Sequence, residues 1–210
     1  MIAEAVAAGI ELQLLAVREG EESAIPAAQR VMLSRRIFRE VSQTVTPQGL
    51  IAVGRIVESR AADAVAAARR ARWPLLVLDR IQDPGNVGAI CRTAAAAGAP
   101  AVAVLDGCAD PYGPKAVRAS AGNVFRLKVA SAAWRDLEGL DGYGAAATGG
   151  AALYGAPIES ADMIVLGSEA HGLSRPQQKL VTVPLSEGVE SLNVAAAAAI
   201  LLFEIRRRLG

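Results

Sequence analysis

From Pro74 onward the chain alternates short apolar runs with stretches of helical spacing, and this rhythm constrains the fold more than any other feature. Strands are predicted over Leu75–Leu78, Ala101–Leu105, Val124–Val129, Tyr143–Thr148, Met163–Leu166 and Val181–Val183. Helices are predicted over Ala89–Ala97, Pro114–Ala121, Trp134–Leu140 and, closing the chain, Leu192–Leu209. A loop over Asp83–Gly88 joins the first strand to the first helix. Strands that are apolar throughout and separated by helices belong to an α/β domain, a mostly parallel sheet with helices on both faces.

The residues before Pro74 follow another pattern. Ile2–Ala8 reads as helix, Leu12–Val17 as a strand, and Glu19–Glu22 with Pro26 as a turn. Arg30–Val41 spaces its apolar residues at helical intervals, and Leu50–Val57 is a second strand. Ala61–Arg72 reads as a helix ended by Pro74. The expected division is a small domain over 1–57, a linker helix over 58–73 and a larger α/β domain over 74–210.

Charge and composition narrow the function. Lys plus Arg number 22 against 21 Asp plus Glu, so the large positive excess of many nucleic-acid binders is missing. The arginines are nevertheless clustered, at Arg30, Arg35, Arg36 and Arg39 and again at Arg69, Arg70 and Arg72. Two readings stand side by side: solvated helix faces, or local contacts to phosphates. Aromatic residues make up 4% of the chain, which weighs against base recognition on stacked aromatic platforms. Cys91 and Cys108 have the spacing of neither a zinc site nor a disulfide framework, and read as buried thiols of a cytosolic protein. Glu4 and Glu11 interrupt what a secretory signal would need. The longest apolar run, near Val194–Phe203, falls short of the ~20 residues that span a bilayer. The expectation is a soluble cytoplasmic protein with no membrane partner and no metal.

Open α/β sheets bind ligands at the carboxyl ends of their strands. No G-x-G-x-x-G follows the strand at Leu75–Leu78, and no lysine closes a glycine-rich phosphate loop. Gly142-Tyr143-Gly144 is a partial match that precedes a strand. The glycine-bearing loops that follow strands lie late in the chain, around Gly167 and Gly188. An ordinary nucleotide-binding domain does not look like this.

Three stretches carry the chemistry. The first is LDRIQDPGNVGAICRTAAAAG, Leu78–Gly98, with Asn86 in a turn and Arg92 six residues later in an alanine-rich helix. Taken alone these are a turn-former and a surface arginine; together they could converge on one anionic group. The second is MIVLGSEAHGLS, Met163–Ser174, where an apolar strand runs into Gly167, Glu169 and the only histidine, His171. Glycine permits close backbone approach to a ligand, Glu169 adds a carboxylate, and His171 reads as a loop histidine without catalytic duty. The third is VTVPLSEGVESLNVAAAAAILLFEIRR, Val181–Arg207, in which Ser191 or Asn193 opens a long helix and suits a cap.

In order and content the three stretches resemble the motifs of the SpoU (TrmH-type) RNA 2′-O-methyltransferases of the SPOUT superfamily. The resemblance runs from about Leu75 to Arg208 and includes KAVRASAGNVFRL, Lys115–Leu127, between the motifs. TVTPQGLIAV, Thr44–Val53, resembles the end of an L30e-like RNA substrate-binding domain, here expected to be truncated at its start. The resemblance implies a C-terminal deep trefoil knot that binds S-adenosylmethionine in a bent shape. Thr148, Gly167, Val183, Leu185 and Leu192 would line the cofactor pocket. Arg92 would be the principal catalytic residue, with Asn86, Glu169, Ser191 and Asn193 completing the acceptor site. Ala170 and Ala195 stand where the family often has Gly and Ser. The family also implies a homodimer through the knot region and a structured RNA substrate, ribosomal RNA ahead of transfer RNA. The rival expectation is a non-catalytic RNA-binding protein that keeps the fold.

Overall fold

The computed structural model describes residues 1–42, 47–168 and 170–210. Its chain divides into two compact units, Met1–Val57 and Glu58–Gly210.

In the first unit, α1 (Ile2–Ala7) leads into β1 (Leu12–Arg18), followed by β2 (Gln29–Leu33), α2 (Arg35–Val41) and β3 (Leu50–Gly54). The strand β1 is central, parallel to β2 and antiparallel to β3. It buries Leu15 and Val17, while α2 buries Phe38. The helix expected over Arg30–Val41 is therefore a strand followed by a helix. Ladder bonding of Arg30–Leu33 along Leu15–Arg18 takes the first half. The Ser34 hydroxyl accepts from Ile37 N at 3.4 Å and sets the helix start at Arg35. Pairing with a neighbouring strand overrides helical spacing there. The strand expected to reach Val57 stops at Gly54. Thr44–Thr46 of the TVTPQGLIAV stretch lie outside the described residues.

The second unit opens with α3 (Ala61–Ala71), β4 (Leu75–Asp79), α4 (Pro84–Ala97), β5 (Ala101–Leu105) and α5 (Pro114–Ala119). It continues with β6 (Lys128–Ala132), β7 (Gly142–Ala145), β8 (Ala151–Ala152), β9 (Met163–Gly167), β10 (Lys179–Thr182) and α6 (Val194–Leu209). The strands form one sheet in the order β6-β5-β4-β9-β7-β10-β8, and each pairing among the described residues is parallel. Because β4 is buried on both faces, its side chains divide. Leu76 and Leu78 pack with Ile90 of α4 and Leu201 of α6, while Leu75 and Val77 pack with Ala64 and Ala68 of α3. The segment expected to link two domains thus covers a sheet face of the second. No helix among the described residues is long and apolar enough to cross a membrane.

The strand expected over Tyr143–Thr148 ends at Ala145, where its pairing with β10 ends; that expected over Val181–Val183 runs over Lys179–Thr182, and the helix expected to reach Ala121 ends at Ala119. Four further boundaries differ, each for a local reason. The loop expected over Asp83–Gly88 is the first turn of α4. Asp83 caps it by accepting from Asn86 N at 3.0 Å, and Pro84 supplies the φ of the first helical position. The strand expected over Val124–Val129 begins only at Lys128, after a 3-10 turn over Asn123–Arg126. The buried Ser120 hydroxyl accepts from Gly122 N and Val124 N there, which satisfies backbone that a strand would otherwise pair. The helix expected over Trp134–Leu140 is a 3-10 turn, Trp134–Leu137, cut short before Gly139 at φ +80°. The closing helix starts at Val194 rather than Leu192, because Asn193 caps it.

Gly88 sets how closely α4 and α5 approach. A Cβ at this position would lie 2.3 Å from Ala116 O and 2.6 Å from Ala119 Cβ. Gly88→Ala is expected to destabilise the fold by about 1–3 kcal/mol, the usual cost of overpacking, measured by denaturant unfolding. The end of α6 is anchored by charge. Glu204, 7% exposed, accepts from Arg207 and from Arg208 at 2.6 Å. Arg208 also donates to Ala156 O, to Leu153 O at 2.8 Å and to Glu159 at 2.8 Å. The hydrogen bonds from Arg207 and then Arg208 hold the Glu204 carboxyl down at about 2. A carboxyl depressed on folding stabilises the native state above its unfolded value of about 4.3. That contribution is expected to fade as pH falls from there towards 2, and Glu204→Gln to flatten this part of a melting-temperature profile.

Candidate active site

The site lies at the carboxyl edge of the sheet, where sequence order and spatial order part company. Inserting β9 between β4 and β7, with β10 beyond β7, brings three segments together. These are the residues after β7, the residues after β9 and the run from β10 into α6. They enclose a cavity of about 480 Å³.

All five positions expected to hold a cofactor, Thr148, Gly167, Val183, Leu185 and Leu192, line this cavity, as does Ser191. Its apolar walls also draw on Leu166, Val194 and Leu201, which reading by motif did not single out. Nor did it find the wall formed by Leu173, Pro176 and Gln177. The available signal was a pair of glycines. A Cβ on Gly144 would lie 2.4 Å from Leu173 Cδ1, and one on Gly167 would lie 2.5 Å from the Gly172 carbonyl. These two positions admit a loop of the chain itself, the close approach that glycine allows.

Asn193, between the cavity residues Leu192 and Val194 in sequence, has two duties. Its Oδ1 accepts from Ala195 N at 3.0 Å and Ala196 N at 3.3 Å, capping α6. Its Nδ2 donates to Asn86 Oδ1 at 3.1 Å, joining the first turns of α6 and α4 across 107 residues. The start of α4 is fixed in turn by Asp83, which receives Asn86 N and, at 3.1 Å, Lys115 Nζ. The Asn86 backbone N–H and then Lys115 hold the Asp83 carboxyl below its usual range.

Asn86 and Arg92, expected to converge on one anionic group, both lie in α4. Six residues at 3.6 per turn and 1.5 Å rise place them about 120° apart around the axis and about 9 Å along it. The Asn86 side chain meets Asn193. Arg92 is exposed, lines no part of the cavity, and has no hydrogen-bonding or ion-pair partner among the described residues. Of the two candidate caps, Asn193 fills the role and Ser191 does not. His171 is exposed, and its backbone N–H donates to Ser168 Oγ at 3.1 Å. Glu169 lies outside the described residues. No group of three or more His, Cys, Asp or Glu among the described residues could hold a metal ion.

Removing the Asn193 amide should cost two things at once. Asn193→Ala is expected to destabilise the chain by about 1–2 kcal/mol through the lost cap. Asn193→Ser, which can still cap, should recover that stability without restoring the bond to Asn86. Thermal unfolding of the two variants measures the difference.

Residues 74–203 match the model of the SpoU rRNA methylase family. The chain is 36% identical over 204 residues to the 23S rRNA (guanosine(2553)-2′-O)-methyltransferase RlmP of Bacillus subtilis, covering 89% of this chain and 78% of that protein. It is 39% identical over 157 residues to the 23S rRNA (guanosine-2′-O-)-methyltransferase RlmB of Xanthomonas axonopodis pv. citri, covering 69% of this chain and 62% of that one. Among solved structures, an AdoMet-bound rRNA methyltransferase from Sinorhizobium meliloti superposes with a TM-score of 0.83 at 25% identity, over all of this chain and 85% of that one. The match extends over more than half of the sequence and includes each strand of the sheet that frames the cavity. The chain belongs to the SpoU rRNA methylase family.

Proposed function

We propose that this protein transfers a methyl group from S-adenosylmethionine to a ribose 2′-hydroxyl of structured RNA, with ribosomal RNA as the substrate class. The observation that carries the reading is one cavity walled by all five expected cofactor positions, with Asn193, bonded to Asn86, between its lining residues Leu192 and Val194 in sequence. The relatives named as 23S rRNA methyltransferases support the choice of substrate.

The residues present fit the donor. A cavity of about 480 Å³ suits a small molecule, for which sites span roughly 300–1,000 Å³. Leu166, Val183, Leu185 and Leu192 offer an apolar bed for a purine, while Thr148 and the backbone at Gly167 offer polar contacts. A bound S-adenosylmethionine supplies a methyl carbon activated by a positively charged sulfur.

The protein's own groups handle the acceptor. A guanidinium is too basic to serve as a general base, so the hydroxyl proton passes to the neighbouring RNA phosphate as the oxygen takes the methyl group. The role of Arg92 is to hold the RNA phosphate beside the reacting ribose and keep the attacking oxygen in line with the methyl carbon. Asn86 and Asn193 orient the ribose, and Ser191 and Glu169 complete the acceptor site. The rate gain comes from alignment and from stabilising charge as it develops.

Four further features belong to this reading. The run from β10 into α6 threads a preceding loop as a deep trefoil knot, and residues 1–57 form an L30e-like RNA-binding domain. The protein acts in the cytoplasm as a homodimer packed through the knot region, where α6 leaves Ala196 and Phe203 exposed. Light scattering at micromolar concentration should give twice the chain mass; a monomer would count against the dimer.

Calorimetric titration with S-adenosylmethionine, ATP and NAD tests the donor. Incubation with total RNA and labelled donor, followed by mapping of 2′-O-methyl groups, tests the reaction. Binding of ATP or NAD without binding of S-adenosylmethionine would overturn the proposal. Donor binding with no methylated RNA would point to a non-catalytic RNA binder.

A further inference from the structure

The wall 172–177 owes its place to very few bonds. It is neither helix nor strand, and Ser174, Arg175 and Pro176 are exposed. Two side chains from other parts of the second unit converge on Ser174. Its backbone N–H donates to Asp79 Oδ2 at 2.5 Å, and its hydroxyl accepts from Trp134 Nε1 at 2.9 Å. The Arg175 guanidinium lies 5.8 Å from the centre of the same indole.

Asp79 is the more telling of the two. It ends β4, pairs in register with Gly167, and is 1% exposed. A carboxylate buried so deeply is costly unless its oxygens are satisfied. Its Oδ1 forms an ion pair with Arg80 Nε at 3.7 Å, beyond hydrogen-bonding reach. Among the described residues the Ser174 N–H is thus the one hydrogen bond to this carboxylate. The acid pairs with Arg80 through one oxygen and holds the loop through the other. Leu173, Pro176 and Gln177, on either side of Ser174, form the cavity wall.

We infer that Asp79 and Trp134 are positioning residues that grip Ser174 from two directions and so fix the wall 172–177 against the methyl donor. The inference rests on the reading that the cavity binds S-adenosylmethionine. Neither residue touches the donor, and both act through Ser174.

Calorimetric titration of the full chain with S-adenosylmethionine tests it, alongside melting temperatures and steady-state kinetics. Trp134→Phe and Ser174→Ala remove the same hydrogen bond from opposite ends. Each is expected to raise Kd about three- to tenfold with melting temperature unchanged. The double variant should be no worse than either single one. Asp79→Ala should raise Kd by more than about tenfold, and Asp79→Asn should recover most of that loss, because an amide oxygen still accepts from Ser174 N–H. In turnover, KM for the donor should rise while kcat at saturating donor and KM for RNA hold. Unchanged Kd in Trp134→Phe and Ser174→Ala would overturn the inference, as would additive losses in the double variant or an Asp79→Asn as weak as Asp79→Ala. A wild-type chain that fails to bind S-adenosylmethionine would instead overturn the reading of the cavity, and the inference with it.

Discussion

Replacing Arg92 by alanine is expected to slow methyl transfer by about a hundredfold or more while leaving donor affinity and stability close to wild type. The expectation follows from where the side chain stands. Arg92 is exposed, makes no hydrogen bond or ion pair among the described residues, and does not line the cavity. Its removal therefore takes nothing from the fold or from the donor site. What it takes is a fixed cation and a bidentate donor fork beside the acceptor. Arg92→Lys should recover little of the rate, since a compact ammonium does not reproduce that fork. Single-turnover transfer to RNA under saturating donor reads the effect directly, with calorimetry to confirm that the donor still binds. Transfer at the wild-type rate in Arg92→Ala would take this residue out of the mechanism.

A methyl group added at Gly167 should have a comparable effect on the other half of the reaction. Its Cβ would lie 2.5 Å from both the carbonyl carbon and the oxygen of Gly172, and 2.7 Å from Leu173 N. These are backbone atoms, so the loop must move bodily to make room. Gly167→Ala is expected to weaken donor binding by about a hundredfold, with a stability loss of about 1–3 kcal/mol from overpacking. Gly139→Ala provides the contrast. Gly139 has φ +80° and nothing within 4 Å of its would-be Cβ. That substitution should cost about 1–2 kcal/mol of backbone strain and nothing in donor affinity. Equal donor affinity in Gly167→Ala and wild type would mean that the loop does not close on the cavity there.

Local sequence was most readable where burial was most complete. The runs at Leu75–Leu78, Ala101–Leu105 and Met163–Leu166 correspond to β4, β5 and β9, because a strand covered on both faces must be apolar throughout. Legibility failed where a hydrogen bond outside the periodicity chose the conformation. The Ser34 cap splits a run of helical spacing, and Ser120 winds Asn123–Arg126 into a turn. Asp83 and Pro84 start α4 where the residues Asp-Pro-Gly-Asn suggest a free turn. The last case bears on the site as well as the fold, since it puts Asn86 and Arg92 on one helix.

By itself the sequence determined a parallel α/β domain and two of the three segments that enclose the cavity, those after β9 and from β10 into α6; in the segment after β7 the family resemblance pointed to Thr148 alone. Apolar periodicity and residue type are local properties, and each segment carries its own. Which strands become neighbours is not a local property. Only the tertiary structure set β9 between β4 and β7, brought Asn193 to Asn86 over 107 residues, and raised the wall 172–177 beside Gly144 and Gly167. Those contacts are fixed by packing between segments far apart in the chain, which no window of consecutive residues contains.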